Sequence, residues 1–341
     1  MVTIKEVAER AGVSPSTVSR VISDSPRISD ETKQKVRRAM EELGYHPNAI
    51  ARSLVNRATN TIGIVMPRSA EDVFLNPFFP EALRGIAKCT HDEGFCVLLT
   101  TGNSDDEQIE SLLSVVRGGR VDGVILMYSK LDDPILEMLT EMNIPFSMIG
   151  RPTISEDINF VDNDNVNAAY EAANYLISMG HRRIGLINGS LNLVVSIDRY
   201  EGYKRALAKN KIELDESIIM SSEFVQEGGY ESMKKMLSVE NPPSAVLVTD
   251  DLIAFGAIRA ARDMKVKIPD EMSIISFNNI PLADFATPPL TSVDINAYSL
   301  GYKAAKLVID DIKGKKHKPS CYIVETRIVF RDSVISKNNI S

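Results

Sequence analysis

The chain has 341 residues, of which 44% are hydrophobic, 25% charged and 6% aromatic. These values are ordinary for a globular protein and exclude a collagen or a disordered chain. The formal net charge of −7 means that the chain as a whole is not a polycationic coat for nucleic acid. No apolar run approaches the ~18 residues of a membrane span. The first residues carry charges where a secretion signal would be apolar, so a cytoplasmic location is expected.

Cysteine and histidine offer little chemistry. The three cysteines, Cys89, Cys96 and Cys321, have no spacing of the CxxC type, and His91 beside Cys89 has no matching second pair. We therefore expect reduced thiols, no metal and no cofactor.

Charge is distributed unevenly along the chain. Residues 1–60 hold ten basic and seven acidic residues, a net charge of +3, so the other 281 residues carry −10. A small basic segment on an acidic body indicates that the segment, and not the body, meets a polyanion.

Three short helices are predicted in the basic segment. Thr3 and Glu6 form a capping box before the first helix, and Gly12 ends it. Ser14 and Pro15 are typical of the N-cap and first position of a second helix. A third helix is capped by Ser29 and ends before Gly44.

Two such helices joined by a tight turn and supported by a third form a helix-turn-helix unit, whose second helix enters the major groove of DNA. The outward residues of this second helix are predicted to be Pro15, Ser16, Thr17, Ser19 and Arg20. Arg20 could pair bidentately with guanine. A small helical domain that binds protein is the alternative.

The motifs of this segment resemble the N-terminal signature of the lactose/galactose (LacI/GalR) repressor family. They comprise Thr3–Ala8, Ala11–Ser14, Thr17–Val21 and Gly44–Asn48, followed by a stretch at Ala49–Leu54 that is similar to the family's hinge helix. The resemblance extends to about residue 335. Within the family, Ile62–Pro67 and Asn76–Ile86 look most like the maltose-operon repressors of Gram-positive bacteria.

The resemblance implies a set of DNA contacts and a domain plan. It implies that Leu54 wedges into the minor groove at the centre of the site, and that Asn48 and Arg52 hold phosphates or groove edges. The complete predicted DNA-binding set is Thr3, Ser14, Pro15, Ser16, Thr17, Ser19, Arg20, Tyr45, His46, Asn48, Ala51, Arg52 and Leu54. The predicted domains are a head at 1–46, a hinge and linker at 47–60, a core at 61–335 and a tail at 336–341.

The core is predicted to be α/β. Continuous apolar runs alternate with amphipathic helices, as in parallel strands that are covered on both faces. The predicted strands are 61–67, 95–101, 121–128, 145–149 and 160–162, then 183–188, 218–222, 245–249, 273–277 and 290–295, with a last strand at 321–330. Two such series favour two doubly wound lobes, with boundaries at about 61–162 and 293–321 for the first lobe and 163–292 and 322–335 for the second. This plan resembles the periplasmic-binding-protein fold, whose ligand lies between the lobes.

No catalytic constellation is apparent. The sequence contains no P-loop, no GxGxxG after a strand, no GxSxG and no HExxH. His181 is predicted in a surface turn, and adjacent carboxylates such as Asp250 and Asp251 point different ways. The chain is therefore predicted not to be an enzyme, and a transport-binding module is opposed by the head.

Polar residues at predicted strand ends favour carbohydrate, which needs bidentate polar partners and aromatic faces. Asp250 and Asn278 end strands, and Arg199 lies near the start of a helix. The family pattern places the effector on Phe78, Phe79, Arg151, Arg199, Phe224, Asp250 and Asn278. The family often has Asp at 278 and Asn at 250, so the ligand's identity does not transfer automatically. The strand ends carry no basic cluster that would suit a sugar phosphate.

The resemblance thus predicts a homodimeric transcriptional repressor that binds a palindromic operator in double-stranded DNA and responds to maltose or a maltodextrin. The alternative is a regulator of the same family controlled by a phosphorylated protein co-repressor or by a different sugar. Only Arg84 and Lys88 in residues 81–93 would support a protein co-repressor.

Overall fold

A computed structural model describes residues 2–45, 58–67, 70–153, 157–315 and 319–337. The chain divides into two compact units, Met1–Thr59 and Asn60–Ser341. His46, Asn48, Ala51, Arg52 and Leu54 of the predicted hinge region lie outside the described residues. Among the helices in these ranges, none is long and apolar enough to cross a membrane.

The described residues of the first unit form three helices, α1 (Ile4–Ala11), α2 (Pro15–Ile22) and α3 (Asp30–Glu42). The predicted capping box of α1 is present, with Thr3 Oγ1 accepting from Glu6 N at 3.4 Å and Thr3 N donating to Glu6 Oε2 at 2.7 Å. Gly12 adopts a φ of 66°, the left-handed conformation that ends a helix at little steric cost. These local signals fix the helix limits close to those predicted.

The apolar faces of the three helices meet in one small core. It is built from Val7 and Ala8 of α1, Val18 and Val21 of α2, and Val36 and Ala39 of α3. The pairs in α2 and α3 each lie on one face because residues three apart are neighbours on a helix, and the adjacent Val7 and Ala8 both face the core from α1. Burial of these side chains orients the opposite face of α2 toward solvent.

The second unit contains two six-stranded sheets, and the first is entirely parallel. Its strands are β1 (Thr61–Val65), β2 (Cys96–Thr100), β3 (Gly123–Leu126), β4 (Phe146–Ile149), β5 (Phe160–Asn163) and β11 (Cys321–Val324), in the order β11-β5-β4-β3-β1-β2. The helices in this part of the chain are α4 (Ala70–Leu75), α5 (Phe78–Glu93), α6 (Asp105–Arg117), α7 (Pro134–Glu141) and α12 (Ala297–Ile312). This sheet and its helices form the first lobe.

The second lobe repeats the arrangement. Its strands are β6 (Ile184–Asn188), β7 (Ile219–Ser221), β8 (Ala245–Val248), β9 (Ser273–Phe277), β10 (Thr291–Asp294) and β12 (Arg327–Val329), in the order β12-β10-β9-β8-β6-β7. Only β12 is antiparallel to its neighbour. The helices are α8 (Asn165–Ser178), α9 (Val194–Lys209), α10 (Gln226–Leu237) and α11 (Asp251–Asp263). The two-lobed fold class predicted from the sequence is confirmed.

The chain crosses between the lobes three times, and one side chain connects the crossings. Asn163, at the end of β5, donates from Nδ2 to Ile295 O at 3.1 Å and to Val324 O at 2.8 Å. Because all three crossovers meet at this buried amide, they form a compact pivot between the lobes.

The sequence-based limits of the last crossover need correction. The single strand predicted at 321–330 is two strands, with β11 in the first sheet and β12 in the second. The predicted lobe limits at 292/293 and 321/322 accordingly cut through β10 and β11. Alternating polarity gave no sign of the break at residues 325–326, because both strands are edge strands with exposed residues.

His181 lies in the interior of the second lobe and not in a surface turn, so that prediction is wrong. Its ring is fully buried, with Nδ1 3.0 Å from Ser244 Oγ and Nε2 3.1 Å from Ser273 Oγ and 3.2 Å from Ile335 O. Burial lowers the pKa of this imidazole. His181 thus ties the C-terminal segment to the second lobe as a neutral, hydrogen-bonded side chain.

Candidate functional site

The exposed face of α2 is the candidate nucleic-acid surface of the first unit. Pro15, Ser16 and Arg20 are exposed, whereas Thr17 and Ser19 are partly buried. The hydroxyl of Ser14 accepts from Thr17 N at 3.2 Å, so Ser14 caps the helix while remaining at the surface. Helix α2 therefore presents its first turn and Arg20 outward, the part of a recognition helix that reaches base edges.

Among the described residues of the head, the basic residue Arg20 of α2 keeps its positive charge uncompensated, whereas several other charges are paired. Asp24 pairs with Lys33 at 2.9 Å, and Glu42 pairs with Arg10 at 2.8 Å. By contrast, Arg20 forms no ion pair with any residue in the described part of the head. Its guanidinium is available for the bidentate contact predicted from the sequence.

Two other predicted DNA contacts have structural duties in the head. Thr3 is exposed and forms the capping box of α1. Tyr45 is half-buried, and its ring packs against the head core. Packing of the Tyr45 ring leaves its hydroxyl as the group that could reach a phosphate.

A cleft of about 330 Å³ lies between the two lobes of the second unit. This volume is within the range of small-molecule sites. It is bounded by the carboxyl ends of strands from both sheets, as expected for opposed doubly wound sheets. The structure brings six of the seven predicted effector residues to its wall: Phe78, Phe79, Arg199, Phe224, Asp250 and Asn278.

Asp250 accepts four hydrogen bonds at the wall of the cleft, two at each carboxylate oxygen. As N-cap of α11, its Oδ1 accepts from Leu252 N at 2.7 Å and from Ile253 N at 3.3 Å. Its Oδ2 accepts from Asn278 Nδ2 at 2.7 Å and from Asn76 Nδ2 at 3.0 Å. Burial raises the pKa of this carboxyl, and these hydrogen bonds oppose the effect.

Arg199 is a buried cation on α9. It donates from Nη1 to Thr249 O at 2.5 Å and from Nε to Asn165 Oδ1 at 3.1 Å. Its guanidinium carbon lies 4.2 Å from the centre of the Phe277 ring. Burial lowers its pKa to about 10, so the side chain stays charged near neutral pH. The remaining N–H groups can therefore donate charge-assisted hydrogen bonds into the cleft.

Aromatic rings occupy both sides of the cleft. Phe78 and Phe79 of the first lobe pack edge to face with ring centres 5.0 Å apart. Phe224 of the second lobe lies directly over Gly189, where a Cβ would come within 2.2 Å of the ring. Glycine is therefore required at 189 for Phe224 to occupy its place. Such apolar faces suit the C–H surfaces of a sugar.

Arg151 is the one predicted effector residue that the structure does not bring into the cleft wall. Its guanidinium forms a two-pronged ion pair with Asp198, with Nε–Oδ2 at 2.9 Å and Nη2–Oδ1 at 2.6 Å. Its neighbour Gly150 lines the cleft instead. Arg151 is therefore bound to the second lobe through Asp198, which is 47 positions away and which no local sequence pattern indicates.

Several polar residues of the wall were not predicted. Asn76, Asp162 and the ion pair between Lys130 and Asp105, at 2.8 Å, line the cleft with Glu223 and Asn192. Asp162 is the last residue but one of β5, so the rule that ligands lie at strand ends could have indicated it. Burial raises its pKa to about 6.

The cleft suits a neutral ligand with many hydroxyls. Four acids, Asp105, Asp162, Glu223 and Asp250, face it with two bases, Lys130 and Arg199. A phosphate or other anion would meet this acidic excess unfavourably. In the described residues, no group of His, Cys, Asp and Glu side chains could hold a metal ion.

Both units of the chain match known protein families. The chain matches the family model "bacterial regulatory proteins, lacI family" over residues 3–48 and a "periplasmic binding protein-like domain" over residues 173–334. It is 39% identical to the HTH-type transcriptional regulator MalR of Streptococcus pneumoniae over 324 residues, which is 94% of this chain and 96% of that protein.

Two solved structures share the fold. A complex of the transcriptional regulator CelR with cellobiose superposes with a TM-score of 0.78 at 33% identity, covering 98% of this chain and 100% of that one. A "probable maltose operon transcriptional repressor malR" from Staphylococcus aureus gives a TM-score of 0.74 at 26% identity, covering 81% of this chain and 98% of that one. The relatives are named as regulators and not as enzymes, in agreement with the sequence prediction. The chain belongs to the LacI family of bacterial transcriptional regulators.

Proposed function

We propose that this protein represses transcription by binding a palindromic operator as a homodimer, and that maltose or a maltodextrin in the cleft controls its affinity for DNA. The observation that carries the proposal is that one chain combines two features. Helix α2 exposes the cation Arg20, which has no ion pair in the described head, and the cleft presents Asp250, Asn278 and Arg199, which can hydrogen-bond the hydroxyls of a polyol.

DNA binding is assigned to the head and to the hinge residues that follow it. Arg20 and Ser16 are exposed on α2 and can meet base edges. Leu54, outside the described residues, is proposed to enter the minor groove at the centre of the operator. Two recognition helices about one DNA turn apart require a two-fold pair of chains.

Exposed apolar side chains on the second unit are consistent with a homodimer. Leu282 is 56% and Phe285 82% exposed on one turn of the second lobe. Val97 and Leu99 are half-exposed on the edge strand β2. Patches of this kind favour burial against a second copy of the chain.

The sugar assignment draws on the cleft and on the relatives. Two relatives are named for sugar systems, a maltose operon in one and a bound cellobiose in the other. A neutral disaccharide fits the acidic excess and the paired aromatic faces of the cleft better than a sugar phosphate does. Closure of the cleft around the sugar would move the two lobes and so change the affinity for the operator. The coupling free energy between two such sites is typically on the order of 1–3 kcal/mol.

Control by a protein co-repressor receives little support from the two cations that would favour it. Arg84 is paired with Glu81 at 2.6 Å, and Lys88 with Asp92 at 2.7 Å. Both therefore have partners within their own helix, where an acidic protein would have to compete for them.

A thermal-shift panel on the full chain tests the effector class. Maltose, maltotriose, cellobiose, glucose, ribose, a sugar phosphate and a purine are compared. A ligand at 100 Kd stabilises by about 2.7 kcal/mol, which is readily seen. A shift with maltose or maltotriose is expected, and a shift with another sugar alone would replace the effector.

Operator binding tests the other half of the proposal. Leu54→Ala is expected to weaken operator binding while the head stays folded by circular dichroism. An unchanged operator affinity would overturn the assigned role of the hinge. If no compound of the thermal-shift panel raised the Tm, the maltose assignment would be refuted and control by a protein co-repressor would be favoured.

A further inference from the structure

The two lobes touch through a short backbone bridge beside the cleft, separate from the three chain crossovers. Val194 N donates to Ser129 O at 3.1 Å, and Leu131 N donates to Asn192 O at 3.0 Å. Lys130 and Leu193 pair between them as an isolated antiparallel bridge. This is the hydrogen-bonding pattern of a two-stranded ladder formed between separate lobes.

The ion pair of Arg151 and Asp198 lies in the same contact. Arg151 follows β4 of the first lobe, and Asp198 lies on α9 of the second. The two side chains meet through two hydrogen bonds at 2.6 and 2.9 Å. Asp198 is 8% exposed and Arg151 47%, so one end of the pair is desolvated while the other faces water.

Local geometry makes the bridge and the ion pair one unit. Ser129 Oγ donates to Arg151 O at 2.6 Å, which joins the two contact points on the first lobe. On the second lobe, Val194 and Asp198 are four residues apart and lie on one face of α9. The next residue, Arg199, faces the cleft, so the contact and the cleft share a helix.

We propose that Arg151 and Asp198 form an interlobe latch that favours the closed state of the cleft, and that Arg151 tunes effector affinity as a positioning residue without touching the effector. The first part stands on the geometry alone, whereas the second rests on the proposed function. Arginine suits this role because its planar fork matches a carboxylate in two-pronged geometry.

The latch acts on an equilibrium. A half-exposed pair contributes modestly, so it biases the closed state without locking it. A ligand that binds the closed state gains affinity in proportion to the fraction of closed molecules. Loss of the latch should therefore weaken binding even though the cleft wall is unchanged.

Hydrogen–deuterium exchange of the full-length protein without sugar provides the test. The amides of Leu131 and Val194 exchange only when the lobes part, because their acceptors lie in the opposite lobe. Arg151→Met is expected to raise exchange in peptides containing these amides roughly fivefold. Peptides from β8 should be unaffected.

A mutant cycle and a matched control complete the design. Asp198→Ala should give the same increase, and the double variant should be no worse than either single change. Arg84→Met is the control, because it breaks a two-pronged pair with Glu81 inside one helix of one lobe. It should leave the exchange of both interlobe amides unchanged.

The outcomes separate the latch from the proposed function. Unchanged protection of Leu131 and Val194 in Arg151→Met would overturn the latch, including the case in which sugar affinity falls because Arg151 contacts the sugar directly. Additive effects of the two single changes would also overturn it. Faster exchange in a protein that binds no sugar would retain the latch and refute only the effector assignment.

Discussion

Asn76 of the first lobe and Asp250 of the second are joined through the cleft by a 3.0 Å hydrogen bond from Nδ2 to Oδ2. Asn278 and two backbone amides supply the other donors to this carboxylate. Both oxygens of Asp250 are therefore engaged by protein groups. A ligand hydroxyl that donates to Asp250 would therefore compete with one of the two side-chain amides, Asn76 or Asn278.

Asp250→Asn should lower effector affinity about 10- to 100-fold, since a hydrogen bond to a charged group is worth about 1.5–3 kcal/mol. Asparagine is a good N-cap, so α11 should remain intact. Titration calorimetry with the effector found by thermal shift gives the affinity. Asp164→Asn is the matched control, because Asp164 caps α8 by accepting from Asn167 N at 2.9 Å and is absent from the cleft wall. Equal affinities for wild type and Asp250→Asn would remove Asp250 from the effector site.

Arg20→Ala should weaken binding of the specific operator by about 1–3 kcal/mol and relax the preference for one base pair. The guanidinium is exposed and unpaired among the described head residues, so its removal should leave the head folded. Fluorescence anisotropy at one fixed salt concentration gives the affinities. Lys35→Ala removes an equal charge from α3, where Lys35 pairs with Glu31 at 2.9 Å. If both variants lost affinity equally, Arg20 would contribute only general electrostatics.

Gly85→Ala should destabilise the core, because α5 and α12 cross at this glycine. A Cβ on Gly85 would come within 2.1 Å of Tyr298 O and 2.8 Å of Tyr302 N, both backbone atoms. Overpacking of this kind costs about 1–3 kcal/mol, visible as a lower midpoint in urea. Gly63→Ala is the comparison, since its nearest neighbour is the Val121 side chain at 3.4 Å. A loss of stability in Gly63→Ala that matched Gly85→Ala would contradict the packing argument.

Sequence reasoning found the features that depend on local chemistry. Caps at Thr3 and Ser14 and the glycine at Gly12 fixed the helices of the head. Asp250 and Asn278 were found because they follow buried strands, and strand ends meet at one edge of a parallel sheet. These signals lie within a few residues of the groups they predict.

Features that depend on long-range contacts were missed. Arg151 was assigned to the effector, but its partner Asp198 is 47 positions away and on the other lobe. The ion pair of Lys130 with Asp105 and the burial of His181 likewise arise only when distant segments pack. Charge and polarity show that a residue needs a partner, but the fold decides which partner it has.

The pH dependence of stability should carry a signature of Asp251. This carboxylate is fully buried and accepts from Ser276 Oγ, from Ser292 Oγ at 2.7 Å and from Ile280 N at 2.8 Å. Burial nevertheless raises its pKa from 3.8 to about 7. The folded chain therefore holds a proton that the unfolded chain releases. The stabilisation is complete below the unfolded pKa and is lost as the pH rises through about 7.

Asp251→Asn replaces this group by an amide that does not titrate. The difference in Tm between wild type and variant should thus change in favour of the variant from about pH 5 to about pH 8. Asp215→Asn is the control, because hydrogen bonds from Ser217 and Arg183 lower the pKa of Asp215 to about 2, so it is ionised in both states over this range. Its Tm difference from wild type should stay constant. A constant difference for Asp251→Asn as well would mean that the three donors keep Asp251 ionised despite its burial.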